Sequence, residues 1–290
     1  MPHDVTITDH AIPLALRDHG GDGRPVLLLH GLGGTLEAWD ALDLGPGHRA
    51  VALDLRGHGL SGDGPWEWDS VLDDLEAVVK HLDLGNPAVV GHSLGGMLAV
   101  LWARRHPECP GIVNLDGLRS AENDPGNYPG MDPAARDEAL ARLKAGFDAQ
   151  AASMGRPLPV ELLPMVPARA RVERDGEVYA RPGADLLEAV RYAPEFRDTI
   201  PLLREVACPA LVVIPTQDPP GTDGGELMAA FRRGVRRDLA GLPGHIQVKE
   251  LEAGHGMMTE RPAAVAALVA EWLRHIERER SEARSEPRRG

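Results

Sequence analysis

Ser93 stands in a sequence pattern that can turn a serine into a nucleophile. It is the central residue of G-H-S-L-G-G at positions 91–96, between a predicted strand and a predicted buried helix. In a sharp strand-to-helix turn, glycines beside the serine let the strand and the helix approach without Cβ clashes, and the serine hydroxyl is pushed outward. The pattern in this context therefore predicts that Ser93 is a nucleophile.

His255 is the predicted base for that serine. It lies in the loop E-A-G-H-G-M-M at positions 252–258, after the last predicted strand and before the last predicted helix. A serine hydroxyl attacks poorly until a neighbouring base with a pKa near neutrality takes its proton, and histidine is the side chain suited to that role. The other histidines adjoin glycine turns, lie on predicted helices, or occupy terminal and loop positions.

The acid that would orient His255 has more than one candidate. Asp218 falls just past a predicted strand, where the chain order serine, acid, histidine places it and where one helix and one strand still fit before His255. Asp116 occupies the same kind of position one strand earlier. We therefore predict Asp218 as the acid and keep Asp116 as the alternative, with Asp223 or no acid at all as the remaining possibilities.

Two backbone amides are the predicted donors to an oxyanion. The amide of Leu94 lies at the start of a predicted helix, where the helix dipole favours negative charge. The amide of Leu32 lies in H-G-L-G-G at positions 30–34, where glycines let the backbone turn toward the same anion; the alternative is a plain glycine-rich turn. Since the sequence has neither metal-ligand spacing nor a phosphate-binding glycine pattern, we expect no metal and no cofactor.

Short apolar runs alternate with helical periods along the chain, which is typical of a mostly parallel sheet flanked by helices. Helical spacing of apolar residues predicts amphipathic helices at 71–82 and 265–276. Residues 93–104 are apolar nearly all round, which suits a helix buried on the sheet. Eight strands are predicted, at 5–8, 13–17, 26–30, 50–54, 88–91, 111–115, 210–214 and 246–251.

The alternation breaks between about positions 117 and 207, where no convincing strand is found. Asp132 followed by Pro133 predicts a helix start, so we expect a mainly helical cap inserted after the sixth strand, over the carboxyl ends of the strands. The alternative is a loosely ordered linker. The predicted organisation is an α/β core of residues 1–116 and 208–276, a helical cap of residues 117–207 and a disordered tail of residues 277–290.

Composition narrows the class of protein. The chain has 290 residues, 43% of them hydrophobic and 26% charged, which fits one compact soluble domain. Its net charge of −13 repels phosphate backbones, so nucleic acid is not an expected partner. The apolar runs are too short to span a membrane and the first ten residues lack a secretion signal, so a cytoplasmic location is expected.

Cys109 and Cys208 are the two cysteines of the chain. Two cysteines are too few for a disulfide framework, and their spacing does not resemble a metal site. We expect buried free thiols. Each cysteine nevertheless precedes a predicted strand by two residues, so a bond between them stays possible if those strands are neighbours.

These motifs together resemble those of the α/β-hydrolase superfamily. They are HGLGG, LDLRGHGLSG, GHSLGG, a strand ending in Asp218, and AGHGMMTERP, in this order over about residues 5–276. The resemblance implies an eight-stranded sheet with a cap after the sixth strand, and a serine hydrolase that cleaves an ester or related acyl bond through an acyl-enzyme. Its small-molecule substrate would have an apolar portion, since Tyr, Phe and Met side chains recur in the predicted cap.

The resemblance leaves the substrate open, because esterases, thioesterases, lactonases, carbon-carbon bond hydrolases and cofactor-free haloperoxidases share these motifs. The alternatives are therefore a carbon-carbon bond hydrolase of a diketone, and a non-catalytic binding protein. Pro215 departs from the family's G-x-x-D pattern before the acid, which keeps Asp116 in play. Ser93 stands where relatives that act on epoxides or alkyl halides carry aspartate, which disfavours those reactions.

Overall fold

The fold is built on one large sheet. The computed structural model describes residues 2–122, 124–218 and 225–285. The strands in these ranges are β1 (His3–Ile7), β2 (Leu14–Asp18), β3 (Arg24–Leu29), β4 (His48–Leu53), β5 (Ala88–His92), β6 (Ile112–Leu115), β7 (Arg171–Arg174), β8 (Glu177–Ala180), β9 (Ala210–Pro215) and β10 (Ile246–Leu251).

Eight of these strands pair in the order β1-β2-β4-β3-β5-β6-β9-β10. The pairs β1–β2 and β2–β4 are antiparallel, and the others in this sheet are parallel. The predicted α/β fold with a mostly parallel eight-stranded sheet is thus confirmed.

Helices cover both faces of the sheet. The helices in the described ranges are α1 (Trp68–His81), α2 (Leu94–Arg105), α3 (Pro133–Met154), α4 (Ala184–Tyr192), α5 (Pro194–Arg197), α6 (Ile200–Leu203), α7 (Gly225–Leu239), α8 (Met257–Glu260) and α9 (Pro262–Ser285). Alternate residues of the central strand β3 enter two separate apolar cores: Leu27 packs with α1 and α2, while Leu28 packs with α9. Burial on both faces explains why this strand reads as a continuous apolar run.

The parallel strands bring distant loops to one edge of the sheet. Within the sheet, β5 pairs with β3 on one side and with β6 on the other. Because parallel strands end at the same edge, the loops that follow β3, β5, β6, β9 and β10 meet there. This is the edge at which the sequence places its chemistry-bearing residues.

The segment between β6 and β9 is structured, and it contains a feature that the sequence analysis missed. Besides helices α3 to α6 it holds the antiparallel hairpin β7–β8. The hairpin turns at Asp175 and Gly176, with φ of 52° and 79°. Two residues of positive φ are typical of a tight hairpin turn, for which Asp-Gly is a favoured pair. The Asp-Gly pair between short runs containing Val and Tyr was the available signal.

The chain end also differs from expectation. Helix α9 runs to Ser285, so residues 277–285 are helical where a disordered tail was predicted, and residues 286–290 lie outside the described ranges. Ile276 is buried against the sheet, and Glu277 lies 3.4 Å from both Arg24 and His48. These contacts hold the helix onto the core beyond the amphipathic stretch read from the sequence.

Cys109 and Cys208 are buried free thiols, as predicted. They precede the neighbouring strands β6 and β9, which pair from Ile112 with Ala210 onward. The sulfur of Cys109 lies 3.6 Å from the carbonyl oxygen of Pro87 and 3.5 Å from that of Gly111, so its one hydrogen has two acceptors within reach. In the part of the chain that the structure describes, none of the helices has both the length and the apolar character needed to cross a lipid bilayer.

Candidate active site

Ser93 occupies a strained turn between β5 and α2. Its φ of 52° and ψ of −118° lie outside the regions that residues with a side chain normally adopt. The turn is possible because glycines flank it: a Cβ on Gly91 would lie 1.9 Å from the carbonyl oxygen of Gly95, and one on Gly95 would lie 2.1 Å from that of Leu29. The close approach of strand and helix therefore requires glycine at both positions.

Replacing Gly95 by alanine is expected to destabilise the fold by about 2–4 kcal/mol, since the new methyl group collides with main-chain atoms that cannot rotate away. Thermal or urea unfolding measures this loss. Gly146→Ala is the matched control, because Gly146 is exposed on α3 and a Cβ there meets nothing within 4 Å. Alanine on that helix should raise stability by up to about 1 kcal/mol. Equal losses in the two variants would contradict this reading of the turn.

The glycine loop after β3 packs directly on the serine. The amide of Gly34 donates to the carbonyl of Gly31 at 2.9 Å, which closes a tight turn with Gly33 at a φ of 75°. A Cβ on Gly31 would lie 3.0 Å from the Cβ of Ser93. Leu32 lies at the tip of this turn, and it lines the same cavity as Ser93. Leu94, the first residue of α2, has an amide without an intrahelical acceptor. Their role as oxyanion donors stays a prediction.

Ser93, His255 and Asp116 form a continuous line of polar contacts. The Nε2 atom of His255 lies 3.1 Å from the hydroxyl of Ser93, and its Nδ1 atom lies 2.6 Å from a carboxylate oxygen of Asp116. A carboxylate can only accept, so Nδ1 carries the hydrogen and Nε2 presents its lone pair to the serine hydroxyl. In this arrangement a base can remove the serine proton.

Asp116, rather than the favoured Asp218, is the carboxylate that contacts His255. The carboxylate of Asp218 binds the guanidinium of Arg232 on α7. Both aspartates follow neighbouring strands, β6 and β9, but β6 is the direct partner of β5, the strand that ends just before Ser93. Asp223 lies outside the described residues.

The turn that carries Asp116 is locked to the serine turn. Asn114 is fully buried; its side-chain amide donates to the carbonyls of Gly96 and Gly117 and its oxygen accepts from the amide of Gly117. Asp116 itself has a φ of 53°, and a Cβ on Gly117 would lie 2.2 Å from the carbonyl oxygen of Ser93. The packing of the two turns fixes where the Asp116 carboxylate points.

Competing effects set the proton affinity of His255. Burial lowers its pKa, but the hydrogen bond and the charge of Asp116, together with the charge of Glu260, raise the pKa to above the usual 6.5. The side chain is 51% exposed and lines the cavity, so solvent and substrate reach the ring. The imidazole is thus a base whose strength depends on its carboxylate neighbours.

A cavity of about 510 Å³ opens above these residues. One part of its wall belongs to the sheet edge and to α7, and another belongs to the segment between β6 and β9. That segment contributes mostly apolar side chains to the wall. Its contributions on α3, α4 and α5 include Phe147, Ala151, Met154, Leu187 and Phe196.

Two residues that the sequence analysis did not single out hold the His255 loop. His92 Nε2 lies 2.8 Å from the carbonyl oxygen of His255, and the carboxylate of Glu260 accepts from the amide of Gly254 at 2.7 Å. His92 stands in the motif next to Ser93, but its motif position does not reveal a contact so distant in sequence. Glu260 shows no sequence signal that we can identify.

Comparison with known proteins places this chain in a family. Residues 26–268 match the sequence profile described as the alpha/beta hydrolase family. The chain is 32% identical to the AB hydrolase superfamily protein YisY of Bacillus subtilis, over 54% of the chain and 60% of that protein. It is 30% identical to 2-(acetamidomethylene)succinate hydrolase of Mesorhizobium japonicum, over 70% of the chain and 73% of that enzyme.

Two further matches are a shorter sequence match and a match to a solved structure. The match to Esterase Rv0045c of Mycobacterium tuberculosis, at 38% identity, spans 35% of the chain and 36% of that esterase, so the chain spans well under two thirds of the length of some curated relatives. A thermophilic esterase from Thermogutta terrifontis has a similar structure, with a TM-score of 0.61 at 26% identity over 94% of this chain and 99% of that one. On the profile match over most of its length, the chain belongs to the alpha/beta hydrolase family.

Proposed function

We propose that this chain is a serine hydrolase that cleaves a carboxylic ester or a related acyl bond. Ser93 is the nucleophile, His255 the general base and Asp116 the acid that orients it. The observation that carries the proposal is the line of contacts of 2.6 Å and 3.1 Å from Asp116 through His255 to Ser93, at the wall of an open cavity. Relatives named as an esterase and as a hydrolase support the same class of reaction.

The proposed reaction has two halves. His255 takes the hydroxyl proton while the Ser93 oxygen attacks the acyl carbonyl, and the protonated imidazole then gives that proton to the leaving alcohol. Water, deprotonated by the same imidazole, next attacks the acyl-enzyme. The imidazole returns that proton to the Ser93 oxygen as the carboxylic acid is released. The amides of Leu32 and Leu94 are the proposed donors to the oxyanion of each tetrahedral intermediate.

We propose that the segment of residues 117–207 acts as a cap that selects the substrate. Its apolar side chains face the cavity that holds Ser93, so it would contact the part of the substrate that stays bound during the reaction. A small molecule with an apolar acyl or alcohol portion fits this wall best. The proposed acyl transfer requires no cofactor and no metal.

A fluorophosphonate probe tests the proposal directly. The serine oxygen should displace fluoride from phosphorus, and peptide mass spectrometry should place the adduct on Ser93. His255→Ala should slow the labelling by about 10³-fold or more, since the hydroxyl then lacks its base. A folded protein that stays unlabelled would support the non-catalytic alternative, and an adduct on another serine would move the site elsewhere. A panel of ester, thioester, lactone and vinylogous diketone substrates would then define the bond cleaved.

A further inference from the structure

His92 contacts the catalytic loop from the residue next to the nucleophile. Its Nε2 atom lies 2.8 Å from the main-chain carbonyl oxygen of His255. The two imidazole rings also pack together, with their centroids 4.9 Å apart and their planes inclined by 41°. The same ring touches the glycine loop, because a Cβ on Gly31 would lie 3.1 Å from its Nδ1 atom.

The protonation of His92 follows from these contacts. Burial and the neighbouring His255 lower the pKa of His92 to about 4, so the ring is neutral near pH 7 and carries one hydrogen. A main-chain carbonyl can only accept a hydrogen bond, which places that hydrogen on Nε2. His92 is therefore a donor to the His255 backbone, and its ring does not take up a second proton near neutral pH.

The loop that carries His255 needs an external restraint. Glycines flank it at positions 254 and 256, and glycine gives the backbone wide conformational freedom. The carboxylate of Glu260 holds the amide of Gly254 on one side. His92 holds the carbonyl of His255 itself, and it does so from the end of β5, where it pairs with Leu115 in the sheet.

We propose that His92 is a positioning residue that fixes the His255 backbone relative to Ser93. Because residues 92 and 93 are consecutive, one strand end sets both the nucleophile and the loop of its base. The inference rests on the proposed function, since it assigns His92 a role in keeping the 3.1 Å contact between His255 and Ser93. Proton transfer depends steeply on such distances, and a misplacement of 1 Å costs about 10²-fold in rate.

Two amide substitutions separate donation from simple packing. In His92→Gln the side-chain nitrogen lies about where Nε2 lies, so it reaches the carbonyl of His255. In His92→Asn the nitrogen lies about where Nδ1 lies, so it falls short. The two variants match in charge and chemical group and differ by one methylene. His81→Gln, an exposed position at the end of α1, is the control for losing a histidine.

The expected result is a difference in kcat between the two amides. His92→Asn should lower kcat on an activated ester by about 10- to 100-fold with KM changed little, while His92→Gln should stay within about fivefold of the unsubstituted protein. The rate of fluorophosphonate labelling should follow the same order. Thermal unfolding of each variant verifies that the comparison is made between folded proteins.

The pH profile supplies a second readout. The charged and titratable groups around His255 are Asp116, Glu260 and His92. If the loop of His92→Asn is loose, the His255 ring is held less firmly against Asp116, and the acid limb of kcat/KM moves to lower pH. In His92→Gln the limb should stay in place.

Two outcomes would overturn the inference. Asn and Gln variants with equal kcat, whether both active or both impaired, would show that donation by His92 does not matter. If His92→Asn only raised KM, His92 would have a role in substrate binding. If it only lowered the stability of the protein, His92 would have a role in folding. Full activity in Ser93→Ala is a different result, because it would defeat the proposed function and not only the role of His92. If His92→Asn does not fold, His92→Phe takes its place as the variant without a donor.

Discussion

Asp116→Asn is expected to lower kcat/KM by about 10⁴-fold, the scale seen when a triad aspartate becomes an amide. The carboxylate of Asp116 accepts from Nδ1 of His255 at 2.6 Å and so keeps the hydrogen off Nε2. An asparagine presents an NH₂ group as readily as an oxygen. When it donates to Nδ1, the imidazole carries its hydrogen on Nε2, which then cannot accept the Ser93 proton. Steady-state kinetics on a p-nitrophenyl ester measures the loss.

The same variant should shift the pH dependence of the residual activity. The base works when His255 is neutral, and its pKa is raised, so kcat/KM of the unsubstituted protein should fall as the pH drops through a value above 6.5. Removing the Asp116 charge leaves burial, which lowers the pKa, opposed only by Glu260. The acid limb of Asp116→Asn therefore moves to lower pH. A limb at unchanged pH would show that another group sets it.

Asp218→Asn is the matched comparison, since it makes the same chemical change at the end of the neighbouring strand. Its carboxylate binds Arg232, and both residues line the cavity. We expect a loss of about tenfold or less, expressed mainly in KM, because substrate contacts change while the base does not. If instead Asp218→Asn lowers kcat/KM more than Asp116→Asn does, Asp218 is the acid, and the contact between Asp116 and His255 has no role in catalysis.

Those parts of the site that depend on local structure could be predicted from the sequence. The glycines around Ser93 are required by close main-chain contacts at the serine turn, so the motif at 91–96 is enough to predict the shape of the turn. The position of His255 follows from its loop between the last strand and the final helices. The parallel sheet could be predicted for the same reason, since its central strands, such as β5 and β9, are short apolar runs buried on both faces.

The choice between Asp116 and Asp218 depends on contacts that no local pattern contains. Both follow parallel strands at the same sheet edge, and chain order alone fits either one. In the structure the Asp116 carboxylate contacts His255, and the buried side chain of Asn114 ties the Asp116 turn to the serine turn. Pro215, which stands where the family usually has glycine, was a sequence signal against Asp218 as the acid. The contact between His92 and the His255 loop could not be predicted either, because it joins residues that are 163 positions apart in the sequence.

Ser93→Ala is expected to lower kcat by about 10⁶-fold, as when the nucleophile of a serine hydrolase is removed. Alanine keeps the Cβ and tolerates the φ of 52° about as well as serine, so the turn and the fold should persist. The apolar cavity wall is unchanged, so a non-hydrolysable ester analogue should bind with a similar Kd. Ser281→Ala, at an exposed serine on α9, is the control.

The residual activity of Ser93→Ala is itself informative. Backbone donors and substrate binding alone leave about 10³- to 10⁴-fold acceleration over water in serine hydrolases. If the Leu32 and Leu94 amides hold the oxyanion as proposed, Ser93→Ala should retain acceleration of that size by direct attack of water, without a burst of product. Undiminished turnover in a folded Ser93→Ala protein would mean that another group forms the acyl-enzyme, or that none forms. The proximity of His255 to Ser93 would then have no bearing on the reaction.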